Sequence, residues 1–174
     1  MNKNNFRLSL IAIFVFLMIT IDLKARCVEP LSQYQIDNIN KAYKYGATHN
    51  LGHTFAGIIC TESDGNILAV GFGDPDYGAM GINLTWHLKR IGVKNSTYNR
   101  SKYGTRLIRD DFYNFKYALI ELQHWSEVSK SWREMVDHYN KGSIIKSGEY
   151  GQTVANQIRI AKKYIIYPEG YDHQ

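Results

Sequence analysis

The chain has little cysteine and little proline: two of the first, Cys27 and Cys60, and three of the second in 174 residues. Two thiols 33 positions apart form neither a Cys-x-x-Cys redox pair nor a zinc set, so a metal-stapled or disulfide-dense scaffold is excluded. The 21 lysines and arginines are scattered. No stretch resembles a basic arm or a nucleic-acid reading motif. Gly71-Phe72-Gly73 lacks the Lys-Ser/Thr ending of a phosphate loop. The longest uncharged apolar run, Leu8 to Ile21, is shorter than the ~20 residues a membrane-spanning helix needs. There is no internal repeat and no low-complexity linker.

What is present begins with that run. Lys3 and Arg7 precede it and Asp22-Leu23-Lys24-Ala25 follows, the charged and apolar regions of a secretory signal, with Ala25 as the best cleavage candidate. Residues 1–25 are therefore expected to be a signal peptide and 26–174 a single exported domain, periplasmic or secreted, that meets a membrane only through the signal; an uncleaved anchor is the alternative. Losing Lys3, Arg7, Lys24 and Asp22 takes 21 basic and 16 acidic residues to 18 and 15, and the net charge from +5 to +3. A mildly basic exported protein suits an anionic polymer or envelope surface better than nucleic acid. An oxidising compartment would permit Cys27 to pair with Cys60. Otherwise Cys60 serves as a small buried hydrophobe beside Ile58 and Ile59.

Composition, with 44% hydrophobic and 21% charged residues, is that of one globular domain. Pro30-Leu31-Ser32 starts a helix whose stripe is Ile36, Ile39 and Tyr43 and which stops near Gly46. A second helix runs from Phe55 to Glu62. Asp64 to Tyr77 reads as Gly- and Asp-rich loop with Ile67-Leu68-Ala69-Val70 as its one strand candidate, and helical patterns return at Leu84–Ile91, Asp111–Trp125, Glu127–Tyr139 and Tyr150–Ile165. The polar, Tyr-rich stretch Asn95–Arg106 reads as a long connection. The expected architecture is mainly α, of the α+β lysozyme-like kind, a compact helical domain with a Gly-rich cleft loop or short hairpin.

In the second helix Phe55, Ile58, Ile59 and Glu62 fall at i, i+3, i+4 and i+7, so Glu62 shares the core-facing stripe. A carboxylate there loses hydration and tends to keep its proton, which a general acid requires. Pairing with a buried arginine or capping a neighbouring helix would explain the same position. Asp64-Gly65-Asn66 is turn chemistry that ends the helix just past Glu62.

Several segments then fall in a characteristic order: the apolar helix ending in Glu62-Ser63, the glycine-containing Gly78-Ala79-Met80-Gly81-Ile82, Tyr113-Asn114-Phe115 opening a helix with Ala118 and Leu122, Tyr139-Asn140-Lys141-Gly142, and Tyr150 with Val154. Together, from about Ser32 to Ile165, they resemble the soluble lytic transglycosylase domain of the lysozyme superfamily. The resemblance implies a peptidoglycan-cleaving enzyme in which Glu62 is catalytic acid and base. It implies that Ser63 orients Glu62 or the substrate's N-acetyl group, that Gly78, Ala79 and Met80 line the glycan cleft, and that Tyr139, Asn140 and Tyr150 contribute to substrate binding. Asn114 matches the asparagine at the start of a core helix. Where that family usually reads Gly-x-Met-Gln-Ile, this chain has Gly81 in the glutamine's place.

Cleavage of the β-1,4 bond between N-acetylmuramic acid and N-acetylglucosamine needs a proton on the leaving oxygen, and hydrolytic enzymes commonly need a second carboxylate. Asp64, Asp74 and Asp76 are the nearest acids, all readily read as turn formers. With one carboxylate, the substrate's N-acetyl group assists and Glu62 returns as base on the C6 hydroxyl, leaving a 1,6-anhydro end; no cofactor or metal is needed. The alternatives are a goose-type hydrolytic lysozyme and a non-catalytic wall-binding or assembly protein on the same fold, with peptidoglycan strands, and a secretion-system or envelope assembly, as partners. His49 and His53 have helical ligand spacing, but Gly52 interrupts them. Trp86 and His87 are cleft candidates that core packing would equally explain, while Trp125 and Trp132 are expected in the core. Of the 13 tyrosines, Tyr98, Tyr103 and Tyr113 join Tyr139 and Tyr150 as possible amphipathic cleft walls.

Overall fold

The computed structural model describes residues 26–71, 76–143 and 148–167. The expected signal peptide, 1–25, lies outside the described residues, as does Asp74. Seven helices are present among them: α1 (Gln33–Ala47), α2 (Gly52–Ser63), α3 (Leu84–Arg90), α4 (Thr97–Arg109), α5 (Asp111–Ser126), α6 (Trp132–Lys141) and α7 (Glu149–Ala161), with strands β1 (Asp76–Tyr77) and β2 (Ile82–Asn83) before α3. The fold is mainly helical with a small hairpin. No helix among the described residues is long and apolar enough to cross a membrane.

Side-chain chemistry at the helix starts explains most of these boundaries. Ser32 caps α1 by accepting from the Gln35 backbone N–H while the Gln35 side chain accepts from the Ser32 N–H, a reciprocal capping box. Ser96, Asp110 and Ser131 cap α4, α5 and α6 in the same N3-directed way. The α4 helix corrects the expectation of a long connection over Asn95–Arg106. Only Gly104 and Leu107 of its 13 residues are buried, so the apolar period that signals a helix is nearly missing and the Ser96 cap is the surviving signal. Ser131 likewise starts α6 five residues later than the pattern from Glu127 suggests, which leaves Val128 exposed.

The central element is α2. Phe55, Ala56, Ile58, Ile59 and Cys60 are fully buried, so the helix is apolar on nearly every side, and each large side chain contributes about 1.5–3 kcal/mol by leaving water. Its most extensive neighbours are α1 and α7. At Gly57 the α7 helix comes so close that a Cβ would stand 2.5 Å from Ile158 Cγ1 and 2.9 Å from Val154 Cγ1, so only glycine permits this crossing. Cys27 is disulfide-bonded to Cys60 with 4.9 Å between Cα atoms, and its N–H donates to the Cys60 carbonyl at 3.2 Å. The bridge pins the start of the described chain to the middle of the core.

The hairpin is antiparallel, pairing Asp76 with Asn83 and Tyr77 with Ile82 around the four residues Gly78 to Gly81. Ile67–Val70 is not a strand; Val70 makes an isolated bridge to Tyr77, and the strand positions fall on the glycine-containing segment instead.

Candidate active site

A cleft of ≈ 790 Å³ opens beside the C-terminal end of α2. Its floor and walls come from Glu62, Asp76 and Gly81, from Asn83, Trp86 and Lys89 around α3, from Glu121 and Trp125 on α5, and from His138, Tyr139 and Asn140 on α6.

Glu62 is half-buried in the last turn of α2, which Asp64 closes in the left-handed conformation at φ 54°. The Tyr150 hydroxyl, from the first turn of α7, donates to Glu62 Oε1 at 2.5 Å. The other carboxylate oxygen, Oε2, faces Gly81: a Cβ on that residue would stand 2.7 Å away, and its backbone has φ +61°. The missing glutamine is thereby explained locally, since any side chain built there collides with Glu62 as placed.

Tyr139 donates its hydroxyl to the Met80 carbonyl at 2.7 Å. Burial, then the Glu62, Glu121 and Asp76 charges, push the Tyr139 phenol well above its ordinary range, and burial followed by the Glu62 charge does the same to Tyr150. Both phenols therefore stay protonated donors at any physiological pH. The hairpin loop is clamped from below by fully buried Asn114, which accepts from the Met80 N–H at 2.8 Å and donates to the Tyr77 carbonyl at 2.8 Å.

The sequence-derived site residues separate into two groups. Glu62, Tyr139, Asn140 and Tyr150 converge, with Glu62, Tyr139 and Asn140 on the cleft and Tyr150 bonded behind Glu62. Asn140 Oδ1 is buried without a hydrogen-bond partner. The others act through the backbone or not at all. Ala79 and Met80 are buried beneath the loop, and Gly78 donates its N–H to the Ala69 carbonyl, so this segment shapes the cleft as scaffold and its side chains do not line it. Ser63 is buried with its hydroxyl donating back to the Ile59 carbonyl at 2.8 Å. It points into the helix packing, away from the role of orienting Glu62, because a serine one position past Glu62 is turned about 100° around the helix.

Among the acids, Asp76 lines the cleft with Glu62 and accepts from Asn83 Nδ2 at 3.2 Å, whereas Asp64 accepts from Gln35 Nε2 at 2.8 Å outside it. Trp125, expected in the core, is half-exposed on the cleft wall and stacks on His138 at 4.6 Å and 9°. His138 Nδ1 lies 2.6 Å from the Gly142 carbonyl, which only accepts, so that nitrogen carries the proton. Arg90 binds Glu121 through two contacts of 2.8 and 2.9 Å. These pairings join residues 13 and 31 positions apart and leave no periodic mark in the sequence. Trp86 is exposed at the rim; His87, 2% exposed, is bonded to the Tyr113 hydroxyl at 3.0 Å beneath it. Trp132 donates its indole N–H to Thr54 Oγ1 at 2.9 Å, and Tyr98 is exposed away from the cleft lining. His53 meets the Tyr167 hydroxyl at 3.1 Å, and the described residues contain no cluster of three His, Cys, Asp or Glu side chains suited to a metal.

The chain is 27% identical over 150 residues to the uncharacterized 20.7 kDa protein in the vs-regB intergenic region of Enterobacteria phage T4, covering 75% of this chain and 82% of that one. No family model matches, and no solved structure matches.

Proposed function

We propose that the protein is a peptidoglycan lytic transglycosylase that cleaves the β-1,4 bond between N-acetylmuramic acid and N-acetylglucosamine and leaves 1,6-anhydro-muramic ends. The observation that carries this reading is the placement of Glu62: half-buried at the end of an apolar helix, open to a cleft, with Oε1 held by the Tyr150 hydroxyl. Tyr150 keeps Oε1 as an acceptor, so in the protonated acid Oε2, beside Gly81, is the oxygen that carries the transferable proton. Glu62 gives that proton to the glycosidic oxygen as oxocarbenium character develops, then takes one from the C6 hydroxyl as it closes on C1. Trp125 and Trp86 offer faces for sugar rings, and the Tyr139 ring and the Asn140 side chain complete the lining beside Glu62.

Asp76 favours a second reading. A second carboxylate in the same cleft is what a hydrolytic enzyme of the goose lysozyme type would use to activate water. Digestion of purified peptidoglycan by the chain from Arg26 onward, with product ends identified by mass spectrometry, separates the two. Anhydro ends that vanish with Glu62→Gln support the transglycosylase; reducing ends that vanish with either Glu62→Gln or Asp76→Asn mean hydrolysis. Absence of cleavage by folded protein would leave a wall-binding role.

A further inference from the structure

The charges in the cleft are unevenly placed. Three acids, Glu62, Asp76 and Glu121, line the cleft, and the Glu121 charge is matched by Arg90. Two further cations line the cleft without a carboxylate: Lys89 in the last turn of α3 and Lys141 at the end of α6. Among the described residues outside the cleft, Lys41, Arg106 and Lys163 hold an acid within 4 Å while other surface lysines, Lys44 and Lys116 among them, do not, so it is the shared cavity and not the missing acid that sets Lys89 and Lys141 apart. Lys89 instead lies 4.8 Å from the centroid of the Trp86 ring, which is 62% exposed, so its ammonium is held over an open aromatic face at the rim. A lysine in a last turn suits the helix dipole on any face of the helix. That effect does not account for both lysines, from different helices, facing one cavity.

We propose that Lys89 and Lys141 form a carboxylate-binding subsite of the cleft, which takes the acidic peptide side chains borne by the wall strand rather than its sugars. This inference rests on the peptidoglycan reading above. Where a peptide is attached, the lactyl carboxyl of the muramic residue is tied up as a neutral amide and the glycan offers these ammonium groups no counter-charge, whereas the peptide ends in carboxylates that reach sideways from the strand. Both side chains are exposed where they line the cleft, open to a substituent that leaves it. Each exposed ammonium–carboxylate contact is modest and screened by salt, so the pair acts on the selection of strands more than on the chemical step.

The test measures cleavage of two substrates, intact wall strands and the same strands with their peptide carboxylates converted to primary amides, by the parent and by the double variant Lys89→Gln/Lys141→Gln. The parent is expected to have a KM for intact strands about three- to ten-fold below that for amidated strands, with the ratio shrinking as salt is raised. In the double variant the ratio falls toward one, and Lys89→Arg/Lys141→Arg restores most of it. A parent that cleaves both substrates with equal KM, or a ratio unmoved in the double variant, overturns the subsite and leaves the transglycosylase reading standing. A parent that cleaves neither substrate while folded overturns the reading and the subsite with it.

Discussion

Gly81 lies against the Glu62 carboxylate so closely that the atom distinguishing alanine from glycine would sit 2.7 Å from Oε2. Gly81→Ala therefore forces either the acid or the hairpin loop to move, and adds the cost of a left-handed backbone, about 1–2 kcal/mol. A displacement of order 1 Å at a reacting group costs roughly a hundred-fold in rate. The expected result is loss of anhydro-end release with a fall of several degrees in melting temperature. Gly81→Gln is expected to do no better, despite glutamine being usual at this place in the domain the sequence resembles. Full activity in Gly81→Gln would show that the carboxylate has room to shift without harm.

Tyr150→Phe deletes the donor to Glu62 Oε1 while keeping the ring in its buried site. A hydrogen bond to a carboxylate is worth about 1.5–3 kcal/mol, which corresponds to roughly ten- to a hundred-fold in kcat if expressed in the reaction. Single-turnover digestion of wall fragments measures it, and a rate equal to the parent's would remove Tyr150 from the catalytic arrangement.

Asn114 is a clamp whose loss should be felt in two assays. Asn114→Ala removes the side-chain partner of the Met80 N–H and one donor to the Tyr77 carbonyl under the loop, a penalty of about 1–3 kcal/mol for a buried group left unpaired. Urea unfolding should show a lower midpoint, and amide exchange at Met80 should accelerate. Unchanged exchange at Met80 would mean another group fixes the loop.

Burial, with the Arg106 charge behind it, lowers the His87 pKa to about 4. The unfolded chain, with an ordinary pKa near 6.5, then binds the extra proton between these two values. The stability held by neutral His87 is fully present above pH 6.5 and is lost as the pH falls through that window toward 4, by about 2 kcal/mol at pH 5. Denaturant midpoints at pH 7.5 and pH 5 measure this, and His87→Asn is expected to flatten the difference. An equally steep loss in His87→Asn would assign it to other groups.

The bridge from Cys27 to Cys60 closes a loop of 33 residues around α1 and most of α2. Chain-entropy arguments put a closure of that size at about 3–4 kcal/mol. Cys27→Ala/Cys60→Ala should lower the guanidinium midpoint accordingly while retaining the helical spectrum, since Ile58, Ile59 and Phe55 remain to drive packing. An unchanged midpoint would mean that the reduced chain is already held together at this corner.

How far the sequence could be read depended on how each residue is used. Phe55, Ile58 and Ile59 bury through side chains at helical spacing, so α2 and Glu62 at its end were legible. Pro30-Leu31-Ser32 marked the start of α1 because capping is local. The α4 helix escaped because Leu107 is nearly alone on its buried face. The hairpin was misplaced because Gly78 to Gly81 reads as loop, while Ile67–Val70, the strand-like run, stays outside the named strands. Within the cleft, Trp125 against His138 and Arg90 against Glu121 are long-range choices of partner, invisible to any short window. Ser63 was assigned by motif, and only the hydrogen bond to Ile59 reveals where its hydroxyl goes.

The close crossing at Gly57 bears on how this protein can change. Glu62 ends α2 and Tyr150 begins α7, and Gly57 meets Val154 and Ile158 as the two helices run in opposite directions past each other. The carboxylate and the hydroxyl that holds it are 88 positions apart in the chain, yet both are mounted on one rigid girder of two helices locked at a single glycine. Apart from the hairpin at Gly81, which abuts the carboxylate, the segments threaded between them can lengthen, shorten or exchange side chains without touching that pair. Insertions and new substrate preferences can accumulate in the intervening segments, while the acid and its partner stay in fixed alignment.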